Sequence, residues 1–412
     1  MAEDLQRFLE GKPIEARPVS IFERSWKLIL RHRMVSAATT VSFIAVVVAL
    51  WMFVRPMAGT VPATITAENG DAELHFVRYN DVLHVPHESG FQVHAQSGRR
   101  VHLMPGLYLV KARDEEGRSH EVWRTVPELP SRALGDPRYP HRAWTIEDGT
   151  VVLQSFRLFS DQDVAEPLVM IKGGEFEAGI EKDDGLMRRH RQTVADFEAG
   201  VNEVSYGAFR KVLNQTVKSN SLKGTYLDQV NSQYGDRSSI ANEMPVTGYP
   251  IDVAILYCEL AGGRLPTSME WEYLATLGGT AAYSTGDNPP VQKPDDWMIE
   301  ALTAATADTT PSGVRHLCSS VAEYTDSRCL SYVLLYPEKF PENQRSRVST
   351  EELARLPELI EVRGAPADWI KSGVAKDTFN PRQRNIAPFP GADQEALTNY
   401  GRIGWRMVRA ID

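Results

Sequence analysis

The sequence predicts an α+β protein in which a transmembrane helix and a small antiparallel β-sandwich precede a larger C-terminal domain of mixed helices and strands. Three observations predict it. Residues 34–54, MVSAATTVSFIAVVVALWMFV, carry no charge over a length that matches the hydrocarbon core of a bilayer. Residues 59–126 break into short strand-like runs separated by NG, SG, PG and EEG turn signals. Residues 167–412 mix strand-and-glycine text with capped helices that carry an apolar stripe.

A chain of 412 residues has room for more than one core. Its net charge of −9 excludes a nucleic-acid partner, which needs a basic footprint. Residues 1–33 run against that balance, with seven Lys and Arg against five acidic residues. Of these, Arg17, Arg24, Lys27, Arg31 and Arg33 flank the apolar run on its N-terminal side, whereas Arg55 alone stands close to its other end. Cationic flanks stay in the cytoplasm. The expectation is therefore a single-pass inner-membrane protein held through residues 34–54, with residues 1–33 cytoplasmic and the remainder outside. Phe22, Trp26 and Ile29 recur at helical spacing among those cations, either as a helix lying in the inner leaflet or as a cytoplasmic continuation of the span.

The runs AELHFVRY, GFQVHA, GLYLVKA and HEVWRTV are short, and the turns between them regular, as in a small sandwich. His84, His87, His94 and His102 fall here without a spacing that sets a coordination geometry, and read as polar strand positions. Residues 127–166 are Pro-rich and then strand-like (GTVVLQSFRLF), a connector ending on or beside the next domain. Cys258 lies in an apolar helical run as a small core residue, while Cys318 and Cys329 could pair in an oxidising compartment.

Helix signals are specific in the C-terminal part. Ser205 can cap a helix striped by Phe209, Val212 and Leu213. Ala254, Tyr257, Cys258 and Ala261 share one helix face, which Gly262-Gly263 terminates. Thr267 and Glu270 form a capping box, so Glu270 is read as a structural cap and Glu272, facing elsewhere, does not make an acid/base pair with it. A second box, Ser349 to Glu352, opens a short helix in the stretch 329–361, read as a surface insertion.

Three resemblances attach to these residues. AEDLQRFLEGKPIEARP, near the N-terminus, resembles the tail of a bacterial Ser/Thr protein kinase domain, although the chain holds no Gly-rich phosphate loop, VAIK lysine, HRD loop or DFG aspartate. That resemblance implies the back half of a receptor-like kinase, by truncation or gene splitting, with a cytoplasmic kinase as partner. LMPGLYLVKARDEEGRSHEV resembles extracytoplasmic carboxypeptidase-regulatory or PEGA-type modules. From Pro167 onward, MIKGGEFEAG, MPVTGYPIDVAILYCELAGGRLPTSMEWEYLATLGG, AYSTGDNPP, PSGVRHLCSSVAEYT, EVRGAPADWIKSGVAKDTFNPRQRN and YGRIGWRMVRA follow one another as in the formylglycine-generating (sulfatase-modifying) enzyme family. The resemblance implies that family's C-type-lectin-like fold, a buried structural Arg264, and a groove holding Trp369, Arg384 and Trp405 as ligand-binding residues.

What the resemblance implies for chemistry is largely missing. The family's calcium loop has Asn, Asp and Asn where this chain has Ser312, His316 and Ser320, with Glu323 kept, and calcium prefers six to eight hard oxygens. The family binds copper(I) through two cysteines just after its RGGSW motif, yet no cysteine follows Cys329. Iron-using relatives need a histidine set, and His190 and His316 are the only histidines after residue 167. No cofactor and no catalytic residue are expected, copper least of all. The leading expectation is an extracytoplasmic module that binds a ligand or protein, the sensor part of a kinase system. The alternative is an enzyme of the same family with a different mechanism, using Cys318 or Cys329 as a nucleophile near His316.

Overall fold

The structure is a computed structural model that describes residues 59–80, 92–129, 139–180, 188–218, 239–288, 308–328, 359–364, 385–388 and 403–411, with isolated positions elsewhere. Among them no helix is long and apolar enough to cross a membrane. The expected span over 34–54 lies outside the described residues except for Ser42, as do Trp369, Arg384, Cys329 and nearly all of the 329–361 insertion. Met1–Thr60 and Val61–Asp412 are separate units, and the architecture below belongs to the second. It is mostly sheet with few helices.

The first part is a two-sheet sandwich. One sheet runs β4-β1-β9-β8-β7, from β1 (Val61–Thr64), β4 (Val101–Leu103), β7 (Gly135–Asp136), β8 (Tyr139–Glu147) and β9 (Thr150–Leu153). The other runs β3-β2-β5-β6, from β2 (Glu73–Tyr79), β3 (Gln92–Gln96), β5 (Gly106–Arg113) and β6 (Ser119–Val126). Alternation places Val61, Ala63, Leu103, Val151 and Leu153 of the first sheet against Leu74, Phe76, Tyr108, Val110 and Val122 of the second in one core. Asp148 and Gly149, both with left-handed φ, make the two-residue turn that joins β8 to β9. The expected antiparallel pattern needs one correction, because β1 and β9 pair parallel. Their partners are some ninety residues apart, and a strand returning after the whole second sheet is under no hairpin constraint. Of the four histidines, His94 stacks on His75 across β3 and β2 with ring centroids 4.4 Å apart, as a cross-strand pair.

The second part begins with β10 (Leu168–Ile171), β11 (Gly174–Ala178), β12 (His190–Val194) and β13 (Phe197–Gly200). Among the described residues the helices α1 (Tyr206–Lys218), α2 (Ile251–Ala261) and α3 (Ser268–Ala275) follow. The chain then forms β14 (Ala322–Arg328), β15 (Leu359–Arg363), β16 (Asn385–Pro388), β17 (Ile403–Gly404) and β18 (Val408–Ala410). These strands give a β10-β13-β18 sheet, a β11-β12 hairpin and a β16-β15-β14-β17 sheet in which β14 and β17 run parallel.

The Ser205 hydroxyl accepts from Ala208 N at 3.1 Å and so caps α1, whose Phe209 and Val212 enter the core. Helix α2 ends at Gly262 with φ 93°, whose N–H returns to Cys258 O. Where one apolar face was expected, α2 is buried nearly all round, Asp252 and Glu259 included. A helix interior to its domain must find partners for such charges, and this sets up the contacts described next.

Candidate functional site

Among the described residues Arg124, Arg363, Arg406 and Arg409 are buried, and Arg406 reaches the loop singled out from the sequence through Arg315 O. Because β14 lies parallel to β17 with Glu323 opposite Gly404, the first residues of β14 meet the chain just beyond β17. Arg406 Nη2 donates to Glu323 Oε1 at 2.7 Å and Nε to Oε2 at 3.1 Å; its two Nη groups also reach Gly200 O and Arg315 O, each at 2.8 Å. Trp271 Nε1 adds a third donor to Glu323, at 2.9 Å. Burial alone would lower the pKa of the guanidinium, but Glu323 and Glu203 beside it hold it above the usual value.

Glu203 completes this group from the other side. It is 1% exposed. Burial raises its pKa well above the ordinary carboxylate value, with Arg406 opposing and Glu323 adding to the rise.

The loop residues singled out from the sequence are placed as follows. Ser312 is exposed, its hydroxyl 2.9 Å from that of Thr310. His316 is buried at φ 61°; its backbone N–H donates to Asp308 O, and Nε2 has no partner. Burial, then Arg406, lower its pKa to about 4, which leaves the ring neutral. Ser320 sits at φ 78°. Both positions are left-handed, a region that Asn and Asp tolerate better than Ser.

This donor set does not fit calcium. Both Glu323 oxygens are engaged by Arg406 and Trp271, His316 offers nitrogen in place of oxygen, and Ser312 is turned to Thr310. Nor does it fit copper(I), which needs exposed thiolates. The Cys318 thiol accepts from Ser284 Oγ at 3.3 Å, its N–H donates to Asp308 Oδ2 at 2.6 Å, and burial pushes its pKa up to about 12. The Cys258 thiol is likewise raised by burial. Among the described residues no three His, Cys, Asp or Glu are placed to hold a metal ion.

A second network lies under α3. Arg363 is fully buried and donates to Glu361 Oε1 (2.6 Å), Ser268 Oγ (2.6 Å) and Glu272 Oε2 (3.0 Å), while Glu272 Oε1 accepts from Gly179 N at 2.6 Å. Ser268 in turn donates to Glu361. Glu272 is therefore committed to an ion pair, consistent with its facing away from Glu270 on the helix. The strand that leads to Gly364 is anchored here, and the segment beyond it lies outside the described residues.

Arg264, Thr267 and Glu270 form one unit. Thr267 Oγ1 accepts from Glu270 N at 3.2 Å, and Glu270 Oε2 accepts from Thr267 N at 2.8 Å, so the capping box closes. The same carboxylate takes a two-point contact from Arg264, at 2.7 and 2.8 Å. Burial would lower the Arg264 pKa, but Glu270 and Glu121 raise it well above the ordinary value. Trp405 is fully buried, its ring edge-on to Phe209 and Tyr257 with centroids 5.9 and 6.0 Å away.

Reading the sequence missed Glu203, Asp308, Arg363 and Arg406. A usable signal stood in GWRMVRA, where a cation inside an apolar stretch must find a buried partner.

Residues 155–329 match the sulfatase-modifying factor enzyme 1-like domain. A 68-residue segment is 40% identical to the formylglycine-generating enzyme of Mycobacterium tuberculosis, covering 16% of this chain and 22% of that protein. The chain thus spans about a fifth of the length of that curated relative. Among solved structures, the crystal structure of CarF aligns over 60% of this chain and 99% of its own, at 14% identity and a TM-score of 0.40. Treponema denticola variable protein 1 aligns over 59% and 94%, at 12% identity and a TM-score of 0.33. Residues 155–329 of this chain are a sulfatase-modifying factor enzyme 1-like domain.

Proposed function

We propose that this chain is a membrane-anchored, extracytoplasmic module that binds a ligand or protein on a C-type-lectin-like sulfatase-modifying-factor scaffold. In this reading it is the sensor part of a receptor-like Ser/Thr kinase system, held in the inner membrane through residues 34–54 with a kinase as cytoplasmic partner. The observation that carries it is the loss of soft sulfur: no cysteine follows Cys329, and the thiols of Cys258 and Cys318 are buried and held protonated. The two cysteines that the resemblance would place after the RGGSW motif, from which a thiolate pair for copper(I) would form, are absent from this sequence. The buried charges near the loop are spent on one another, which suits a scaffold better than a reaction centre. The same burial disfavours Cys318 as a nucleophile, since the His316 ring is neutral and the thiol is bonded to Ser284.

The test is an oxidation assay with a cysteine-containing peptide, copper(I) and oxygen, using the full chain. The expected result is no aldehyde above the protein-free control. Aldehyde formation that scales with enzyme would reject the reading.

A further inference from the structure

We propose that an arginine clasp fastens the β-sandwich to the C-terminal domain as one rigid lever, so that a change in the C-terminal domain reaches Val61 with no hinge between. The purpose assigned to this lever rests on the sensor reading above; the clasp itself rests on geometry alone.

The clasp is reciprocal. The sandwich contributes Arg124 of β6, whose Nη1 and Nη2 donate to Glu259 Oε2 and Oε1 of α2 at 3.0 and 3.1 Å. The C-terminal domain contributes Arg264, whose Nε donates to Glu121 Oε2 of β6 at 2.8 Å while its Nη groups hold the α3 capping box. Each body supplies one cation and one anion to the other, the sandwich's pair coming from β6. Arg124 is 1% exposed, and its remaining donors go to the carbonyls of Trp123, Gln154 and Ser155, so every arm of the guanidinium is engaged. Arg409 of β18 adds a third tie, to Ser119 Oγ at the start of β6 (3.0 Å) and to Asp161 (2.8 Å).

Backbone follows the same line. Ser119 and Phe159 exchange two N–H···O bonds of 3.0 and 3.1 Å, and Ala165 N reaches Ala261 O at the end of α2. At that end Gly262 lies so close to the Phe159 ring that a Cβ would stand 2.8 Å from Cγ. Domains joined by a polar surface contact reorient freely as a rule. Here, opening would strand buried charges on both sides, and a guanidinium held at two points cannot slide without losing both bonds.

The experiment uses the solubilised full chain with spin labels at Glu115→Cys on the sandwich and Glu175→Cys on β11, in a Cys329→Ser background. One narrow distance distribution is expected, and a broad or two-peaked one would overturn the clasp. Adding Glu121→Gln and Glu259→Gln should widen the distribution and lower the melting temperature by about 5 °C or more. A narrow distribution with an unchanged melting temperature in that variant would also overturn it. Loss of membrane association in fractionation would sink the sensor reading and leave the clasp standing, so the two failures are separable.

Discussion

Replacing Arg406 by methionine should cost this protein a large part of its stability, and the structure sets the size of the loss. Methionine keeps most of the aliphatic volume but removes two donors from Glu323, leaving that carboxylate with Trp271 Nε1 alone. Breaking a buried ion pair from one side costs about 3–5 kcal/mol. The carbonyls of Gly200 and Arg315 lose their donors as well, at about 1 kcal/mol each. The expected total is about 6 kcal/mol, comparable to the whole stability of many domains. Urea denaturation of the full chain, followed by tryptophan fluorescence, measures it. Coupling the change to Glu323→Gln removes the stranded charge and should recover about half. A single-variant loss under about 1 kcal/mol, or no recovery in the pair, would refute the reasoning.

Other outcomes follow from the same structure. Gly262→Ala forces a side chain into φ 93° and against the Phe159 ring, and should destabilise by about 3 kcal/mol in the same assay. Glu166 accepts from the Tyr257 hydroxyl at 3.0 Å, and burial raises its pKa to about 7. A carboxyl that favours its proton in the folded state contributes stability that is complete below its unfolded value and is lost as pH rises through about 7. Stability should therefore fall by on the order of 2 kcal/mol between pH 4.5 and 8, and Glu166→Gln should flatten that slope in a pH series of denaturation midpoints. Millimolar calcium or a chelator should leave the melting temperature within about 1 °C of its starting value, because Glu323 is held by Arg406; a rise of several degrees would show a working cation loop.

What could be read from the sequence was local. The Ser205 cap, the Gly262 terminus and the Thr267–Glu270 box each involve residues within a few positions of one another, and all three are present. The strands of the β3-β2-β5-β6 sheet were legible for the same reason, since alternation and turn residues are near-neighbour signals, whereas β7, β8 and β9, in the stretch 127–166 read as a connector, belong to the other sheet. Contacts between distant residues were not legible. Arg124 and Glu259 are separated by 135 positions, Arg406 and Glu323 by 83, and nothing in either neighbourhood names its partner. The parallel pairing of β1 with β9 is equally nonlocal. For Glu323 the sequence showed that a carboxylate is kept and not that an arginine holds it. That distinction decides whether the loop offers a cation site or a salt bridge.

The account stands most directly on a copper(I) titration of the purified full chain against a chromophoric chelator, under anaerobic conditions. The chelator should keep its copper, with no thiolate-to-metal absorption developing in the protein. Transfer of one copper per chain, accompanied by that absorption, would contradict the claim that this scaffold has left its metal chemistry behind.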